Sequence, residues 1–267
     1  MAAPGRASVG PSGTIRRSMD VADAALLAAA GVTTGAINAV AGGGSLVSFP
    51  ALLATGLSPL SANVTNLIAT LPGYLSAAAT SRDELAGQRA RVRVLALSAG
   101  LGAIVGTTLL LVGPEDTFET LAPWLVLLAC ALLAAQPLVS KWVARVHHYT
   151  APTRLVVSVG IASIYGGYFG AGLGIVLLAA LGLTLEEPMQ RLNAIKQVLS
   201  LTVAVVSAVA VAIFGPVSWL GVALVGAGTM VGGRLGVGVA RRLPDGVLRG
   251  LVIALGVTVA VVLLIRG

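Results

Sequence analysis

Val198-Leu-Ser-Leu-Thr-Val-Ala-Val-Val-Ser-Ala-Val-Ala-Val-Ala-Ile-Phe214 is the run on which the fold turns. A transmembrane strand alternates apolar and polar side chains with a period of two, and this run does not alternate. Extended upstream to Leu192, it is long enough to cross ~30 Å of hydrocarbon as a helix. Lipid leaves unpaired backbone groups nothing to bond, so a helix is the form that remains. Seven more runs read the same way, at positions 21–47, 60–79, 92–112, 121–139, 155–180, 217–239 and 247–265. Of the 267 residues 57% are hydrophobic and 10% charged, against roughly 25% charged in a soluble domain. The sequence therefore predicts an all-α, polytopic transmembrane bundle of about eight spans.

The charges that remain sit between the spans. Lys and Arg outnumber Asp and Glu by 17 to 10, a surplus that cytoplasmic loops of membrane proteins carry by rule. No nucleic-acid partner is expected from it; the expected surroundings are the lipid bilayer. Connections 81–93 and 140–154 are basic, and 113–120 holds Glu115, Asp116 and Glu119 with no base. The first two therefore read as cytoplasmic and the third as outside. Residues 1–20, rich in Ala, Gly, Ser and Arg, read as a disordered tail. Cys130 reads as a small core residue.

The chain also repeats. An offset of 126 brings Gly56-Leu57 onto Gly182-Leu183, Gly102 and Gly106 onto Gly228 and Gly232, and Gly42 to Gly44 onto Tyr168 to Gly170. This predicts two membrane repeats, 21–147 and 148–267, as in many secondary transporters. Four crossings per repeat would make them parallel and put Arg241, Arg242 and Arg249 outside. An inverted relation needs an odd number of crossings and puts Arg6, Arg16 and Arg17 outside. Charge alone leaves the choice open, with a lean toward the inverted relation.

Each repeat opens with a broken helix. Gly35-Ala-Ile-Asn-Ala-Val-Ala-Gly-Gly-Gly-Ser-Leu-Val-Ser-Phe-Pro50 puts three glycines and a proline where a span should be continuous, and such residues cost a helix ~1 and ~3 kcal/mol each. Gly166-Gly-Tyr-Phe-Gly-Ala-Gly-Leu-Gly174 stands at the matching place. Unwound backbone at membrane depth survives where protein or a wet cavity satisfies it. Two half-helix ends aimed at one site would favour an anion. Asn38, Gly42, Gly43, Gly44, Ser45, Gly170, Gly172 and Gly174 are the candidates this supplies. Gly100, Gly102, Gly106, Gly226, Gly228, Gly232 and Gly236 read instead as helix-packing residues. Gly43→Leu should then harm transport more than Gly102→Leu.

The order of glycine break, Pro50, Gly56 and Ala62-Asn-Val-Thr-Asn66 opening the next helix resembles the sulfite-exporter TauE/SafE family of membrane transporters. The resemblance runs from about Val21 to Ile265. It implies a multi-span permease of two related halves, associated with export of sulfite, sulfoacetate and related anions. One departure is that Val176 stands where a second proline would match Pro50.

The helices after the breaks add Asn63, Thr65 and Asn66 in the first half, and Asn193, Lys196 and Gln197 in the second. Asn193, Lys196 and Gln197 share one helix face. A lysine at helix centre costs ~2.5–3.5 kcal/mol in a membrane and by default marks a substrate path; the competing reading is a lysine that snorkels to the nearby Glu186-Glu187 connection. Arg234 reads as part of a basic helix end, and His147-His148 as a solvated loop pair with no metal-ligand spacing.

No Asp or Glu falls deep within a predicted span, so no carboxylate proton relay is expected, and membrane potential alone could drive anion export at ~2.3 kcal/mol per charge per 100 mV. An intramembrane enzyme would need a base beside Ser45 or Ser48, and none lies within the spans. The expected function is export of a small anion, most readily sulfite or an organosulfonate such as sulfoacetate, through a midplane site between the two breaks. The alternatives are a non-transporting membrane subunit that anchors a partner and a carrier for a different anion. No catalytic residue, metal or cofactor is expected, the plasma membrane is the expected location, and a homodimer is left open.

Overall fold

The computed structural model describes residues 8–9, 15–16, 19–40, 42–143, 152–240 and 245–266. Eleven α-helices account for nearly all of it: α1 Val21–Val40, α2 Ser45–Ala54, α3 Pro59–Ala69, α4 Leu71–Thr80, α5 Arg89–Val112, α6 Glu115–Val143, α7 Pro152–Tyr168, α8 Leu173–Gly182, α9 Met189–Phe214, α10 Trp219–Ala240 and α11 Asp245–Arg266. A single 3-10 turn, Arg82–Leu85, precedes α5. The only extended backbone among the described residues is the antiparallel pairing of Ser8–Val9 with Ile15–Arg16. Val21–Ala39, Arg89–Val112, Glu115–Val143 and Met189–Phe214 are long and apolar enough to cross a membrane. The pair His147-His148, Arg241 and Arg242, most of the 1–20 segment and the 147/148 repeat boundary lie outside the described residues.

Local chemistry sets the breaks. Ser58 caps α3 by accepting the Ser61 N–H, with Pro59 at the first helical position, where its missing N–H costs nothing. The 60–79 run, read as one span, is two helices that meet at Thr70. Pro72 cannot donate to the preceding turn, which divides them. Gly113-Pro114 and Gly215-Pro216 end α5 and α9, whereas α6 runs on through Pro123 and Pro137.

In lipid, helices associate by close packing rather than by burial from water, and here glycine supplies the closeness. The two most extensive interfaces are α1 with α10 and α5 with α7. A methyl group at Gly102 or Gly106 of α5 would run into the carbonyl oxygen of Gly160 or Ile164 of α7. One at Gly228 or Gly232 of α10 would meet that of Ala28 or Val32 of α1 in the same way. These four glycines are packing residues, as their spacing suggests. Gly102 cannot take even a methyl, whereas Gly43 faces the yielding Leu133 side chain at 3.1 Å. Gly102→Leu would therefore break an interface, and the expected ranking against Gly43→Leu fails as a test of the break.

These contacts give directions. Along α10, Val225 and Gly228 meet Gly31, and Thr229 and Gly233 meet Gly35, so α1 and α10 are parallel. Gly102 with Gly160 and Gly106 with Ile164 make α5 and α7 parallel. Gly256 lies on Cys130 and Val126 while Arg249 bonds Gln136, so α6 and α11 are antiparallel.

Both broken helices are hairpins. Gly221, at the start of α10, packs on Leu52 of α2 and Thr65 of α3, whereas Gly31 lies further along α10. The far end of α2 has therefore returned to the end where α1 began. Gly182, at the end of α8, packs on Val143, the last residue of α6. α7 starts from that same end, so α8 has also returned to its origin. The hairpins enter from opposite ends of the bundle and meet inside it.

Candidate functional site

The two hairpin turns share a closing bond. The Gly42 N–H donates to the Ile37 carbonyl at 3.1 Å and the Gly170 N–H to the Tyr165 carbonyl at 3.3 Å, each reaching five residues back. Gly42 and Gly170 have φ of +82° and +80°, in the left-handed region that glycine enters without a Cβ penalty. The turns thus correspond at an offset of 128 rather than 126, which pairs Pro50 with Leu178 instead of Val176. At the glycine interfaces the offset between α1 and α7 is 132, because Gly35 meets Thr229 as Gly167 meets Ala103. α1 therefore carries four more residues, one helical turn, between interface and break than α7 does.

That extra turn carries Asn38. Its Oδ1 accepts the Gly44 N–H at 2.8 Å, and Thr34 donates to the Gly44 carbonyl at 3.0 Å. The second turn is tied by the Tyr165 hydroxyl, which donates to the Ala171 carbonyl. The tips touch: a Cβ on Gly42 would lie 2.8 Å from the Gly174 Cα. Gly43 backs onto Leu133, and Gly172 onto Ala129 and Leu132, all on α6.

Each tip is held by the helix that follows the other hairpin. Asn63 of α3 donates through Nδ2 to the Tyr168 carbonyl at 2.9 Å. Gln197 of α9 reaches the Asn38 and Ala39 carbonyls through Nε2 at 3.5 and 3.4 Å. Gln197 stands one turn beyond Asn193, the residue that aligns with Asn63, matching the extra turn of α1. Asn193 itself is half-buried, and its side chain makes no hydrogen bond among the described residues.

Beside the tips, among α3, α4, α7 and α9, lies a small cavity lined by Ser45, Asn66, Thr70, Tyr74, Gly166, Gly170, Leu173 and Ser200, with Leu67, Val203 and Ala204. Ser48 donates to Asn66 Oδ1 at 2.5 Å. Ser200 Oγ, Asn63 Oδ1 and Gln197 Oε1 are buried without a hydrogen-bond partner. Lys196, one turn before Ser200 on α9, is 1% exposed. Among the described residues no hydrogen bond or ion pair reaches its ammonium group, and no Asp or Glu is buried.

The structure thus brings Asn38, Gly42, Gly44, Ser45, Asn63, Asn66, Gly170, Gly174, Lys196 and Gln197 to the two tips or the helix segments that hold them. It places Thr65 elsewhere: its hydroxyl accepts the Ser218 N–H at 3.0 Å and it packs on α10. Arg234 is exposed on α10. Thr70, Tyr74 and Ser200 were not legible as site residues, although Thr70 and Ser200 stand one turn beyond Asn66 and Lys196, and the i+4 rule would have reached both. No group of three metal-ligating side chains occurs among the described residues.

A second polar cluster lies outside the bundle core. Glu187, in the α8–α9 connection, accepts from Arg91 at 2.8 Å and Arg191 at 3.2 Å. Burial works to raise its carboxyl, but hydrogen bonds from Arg91, Arg191 and Gln88 outweigh burial and hold it below the usual carboxylate value.

The profile of the family described as Sulfite exporter TauE/SafE matches residues 27–263. A Haemophilus influenzae protein named "Probable membrane transporter protein" is 27% identical over 212 residues, covering 79% of this chain and 83% of that one. A Sinorhizobium protein named "Probable membrane transporter protein ORF9" is 27% identical over 255 residues, 90% of this chain and 92% of its own. The Escherichia coli K12 "Probable membrane transporter protein YfcA" is 26% identical over 140 residues, 52% of each chain. No solved structure matches.

Proposed function

Because this chain belongs to the sulfite exporter TauE/SafE family and is a membrane transporter, we propose that it exports a small anion, sulfite or an organosulfonate such as sulfoacetate, across the plasma membrane. The observation that carries the reading is Lys196, a buried cation with no counter-charge among the described residues, one helical turn before Ser200, which lines the cavity. A charge so placed needs an opposite charge, and a transported anion supplies it. Ser45, Asn66 and Ser200 offer hydroxyl and amide groups, and the starts of α2 and α8 add the positive end of the helix dipole.

In this reading the two halves are inverted repeats. Each contributes one hairpin that enters and leaves on its own side, then three crossings: α3 with α4, α5 and α6 in the first, α9, α10 and α11 in the second. The parallel α1–α10 and α5–α7 pairs and the antiparallel α6–α11 pair support it. So does charge, since the arrangement gathers Arg91, Lys141, Arg154, Arg191 and Arg249 at one end, and the positive-inside rule makes that end cytoplasmic. Glu115, Asp116 and Glu119 fall at the other.

The test is thermal stabilisation of detergent-purified protein by sulfite, sulfate, thiosulfate, sulfoacetate, taurine and simple carboxylates. A ligand that binds the folded state raises the melting temperature by mass action. The expected outcome is a shift with a sulfur oxyanion or sulfonate that vanishes in Lys196→Met. A shift with carboxylates alone would make the chain a carrier for a different anion. A shift with no anion would refute the reading.

A further inference from the structure

Resting on that reading, we propose that Lys196 is also a coupling group: it binds a proton and the anion together, so that each anion crosses with one proton. The starting observation is an imbalance within the protein. Among the described residues, Lys196 is the only ionised side-chain type that is buried. Besides α1, which Gln197 reaches at its last turn and whose acid Asp23 stands in its first turn, the elements packed on α9 are α3, α4, α5, α7, α8 and the 3-10 turn. Their charged residues, Arg82, Asp83, Glu84, Arg89, Arg91, Arg93 and Arg154, are all exposed. Their other ionisable groups are Tyr74 on α4 and Tyr165 and Tyr168 on α7. Glu187 is occupied by Arg91 and Arg191 at the α9 start. Among the described residues, therefore, no carboxylate accompanies the ammonium group into the interior.

An ammonium ion in a dry interior persists when an opposite charge accompanies it. Without a protein carboxylate to play that part, the charge balance of Lys196 is set by the anion. When the anion arrives, the amine holds a proton, N–H⁺ against the anionic oxygen. When the anion leaves, the proton leaves with it to water and the amine remains neutral. Atoms and charge balance in both directions, with water as proton donor on one side and acceptor on the other. Unpartnered acceptors lie on the same stretch of α9 and on α3, the helix packed on it. Ser200 Oγ, Asn63 Oδ1 and Gln197 Oε1 have no fixed partner, so they can accept from an ammonium or solvate a neutral amine.

The proposal replaces the expectation, drawn from missing carboxylates, that no proton need accompany the substrate. A lysine performs the same exchange with the opposite sign. The transported charge becomes one unit more positive than that of the anion alone, so potential drives the cycle less and a pH difference drives it more.

The experiment uses the whole chain in proteoliposomes holding a trapped pH dye, with membrane potential clamped by potassium and valinomycin, and sulfoacetate as the probe. Sulfoacetate has no titrating group near neutrality, so any proton that moves is carried by the protein. The expected result is one proton per sulfoacetate, and in detergent an affinity that falls about tenfold per pH unit through the range where the free site sheds its proton. Lys196→Arg, permanently charged, should bind with little pH dependence and move no proton with the anion. Sulfoacetate flux without proton flux in the wild type would overturn the coupling and leave anion transport standing. Proton flux that persists in Lys196→Arg would assign coupling to another group and equally overturn the proposal. If sulfoacetate does not move at all, the run is repeated with the anion that stabilises the protein in the thermal panel. The absence of any such anion sinks the underlying reading rather than the coupling. Lys196→Arg that unfolds is replaced by isothermal titration of the wild type in buffers of differing ionisation enthalpy. That titration counts the protons taken up per anion bound, and a count of zero refutes the proposal.

Discussion

Replacing Gly42 with alanine, beside Gly56→Ala as its control, measures what the contact between the hairpin tips is worth. Both glycines have positive φ, +82° and +89°, so each alanine meets the left-handed penalty of ~1–2 kcal/mol. Around Gly56 nothing lies within 4 Å, and that penalty is the whole cost. At Gly42 the new methyl would lie 2.8 Å from the Gly174 Cα, where carbon pairs prefer ~3.5–4.0 Å. The tips must separate by roughly 1 Å, and overpacking of that order costs ~1–3 kcal/mol more. Gly42→Ala should therefore destabilise by ~2–5 kcal/mol against ~1–2 for Gly56→Ala. Thermal unfolding in detergent, followed by tryptophan fluorescence, reads the difference. Gly174→Ala meets the same contact without a positive φ, so it should lose only the ~1–3 kcal/mol of overpacking, and the double variant should lose less than the sum, because the tips part only once. Equal melting temperatures for Gly42→Ala and Gly56→Ala, or full additivity in the double variant, would show that the tips do not bear on one another.

Three further outcomes follow from single contacts. Lys196→Met removes the buried amine at little change in length; it should abolish anion-induced stabilisation in the melting assay while the unliganded melting temperature holds or rises, as burying a polar group without a hydrogen-bond partner is costly. Gly102→Ala forces its methyl into the Gly160 carbonyl and should lower folded yield by size-exclusion chromatography, whereas Gly100→Ala, whose nearest neighbours stand at 3.9 Å, should be neutral or gain up to ~1 kcal/mol of helix propensity. Glu187→Gln removes a bridge between partly exposed partners and should cost no more than ~1 kcal/mol in melting experiments. Because the Glu187 carboxyl is held below its usual value, the bridge contributes fully at neutral pH and fades as pH falls through that lower value, so variant and wild type should converge in acid.

Helicity, membrane embedding and the two breaks were legible because each rests on local composition: apolar runs too long and too uniform for strands, and glycine clusters no continuous helix would choose. The packing role of Gly102, Gly106, Gly228 and Gly232 was legible from their spacing. Direction was not. Whether a broken run passes through or turns back depends on partners far along the chain, such as Leu52 on Gly221 and Gly182 on Val143, and no periodicity encodes those. The offset of 126 came from Gly56-Leu57 and from α5 and α10 residues and was carried onto the breaks, whereas α1 and α7 stand 132 apart at their interfaces and the added turn of α1 leaves 128 at the breaks. Lys196 stood out by its cost in a membrane, whereas Thr65, equally polar in sequence, is spent on the Ser218 amide.

The contact between Gly42 and Gly174 is made by main chain on both sides. A gate formed by side chains can be opened by rotation about a single bond, within nanoseconds and without disturbing its helix. A seal of backbone against backbone has no rotamer to turn. Parting these tips therefore means displacing the hairpins themselves, together with the Asn63 and Gln197 bonds that hold them.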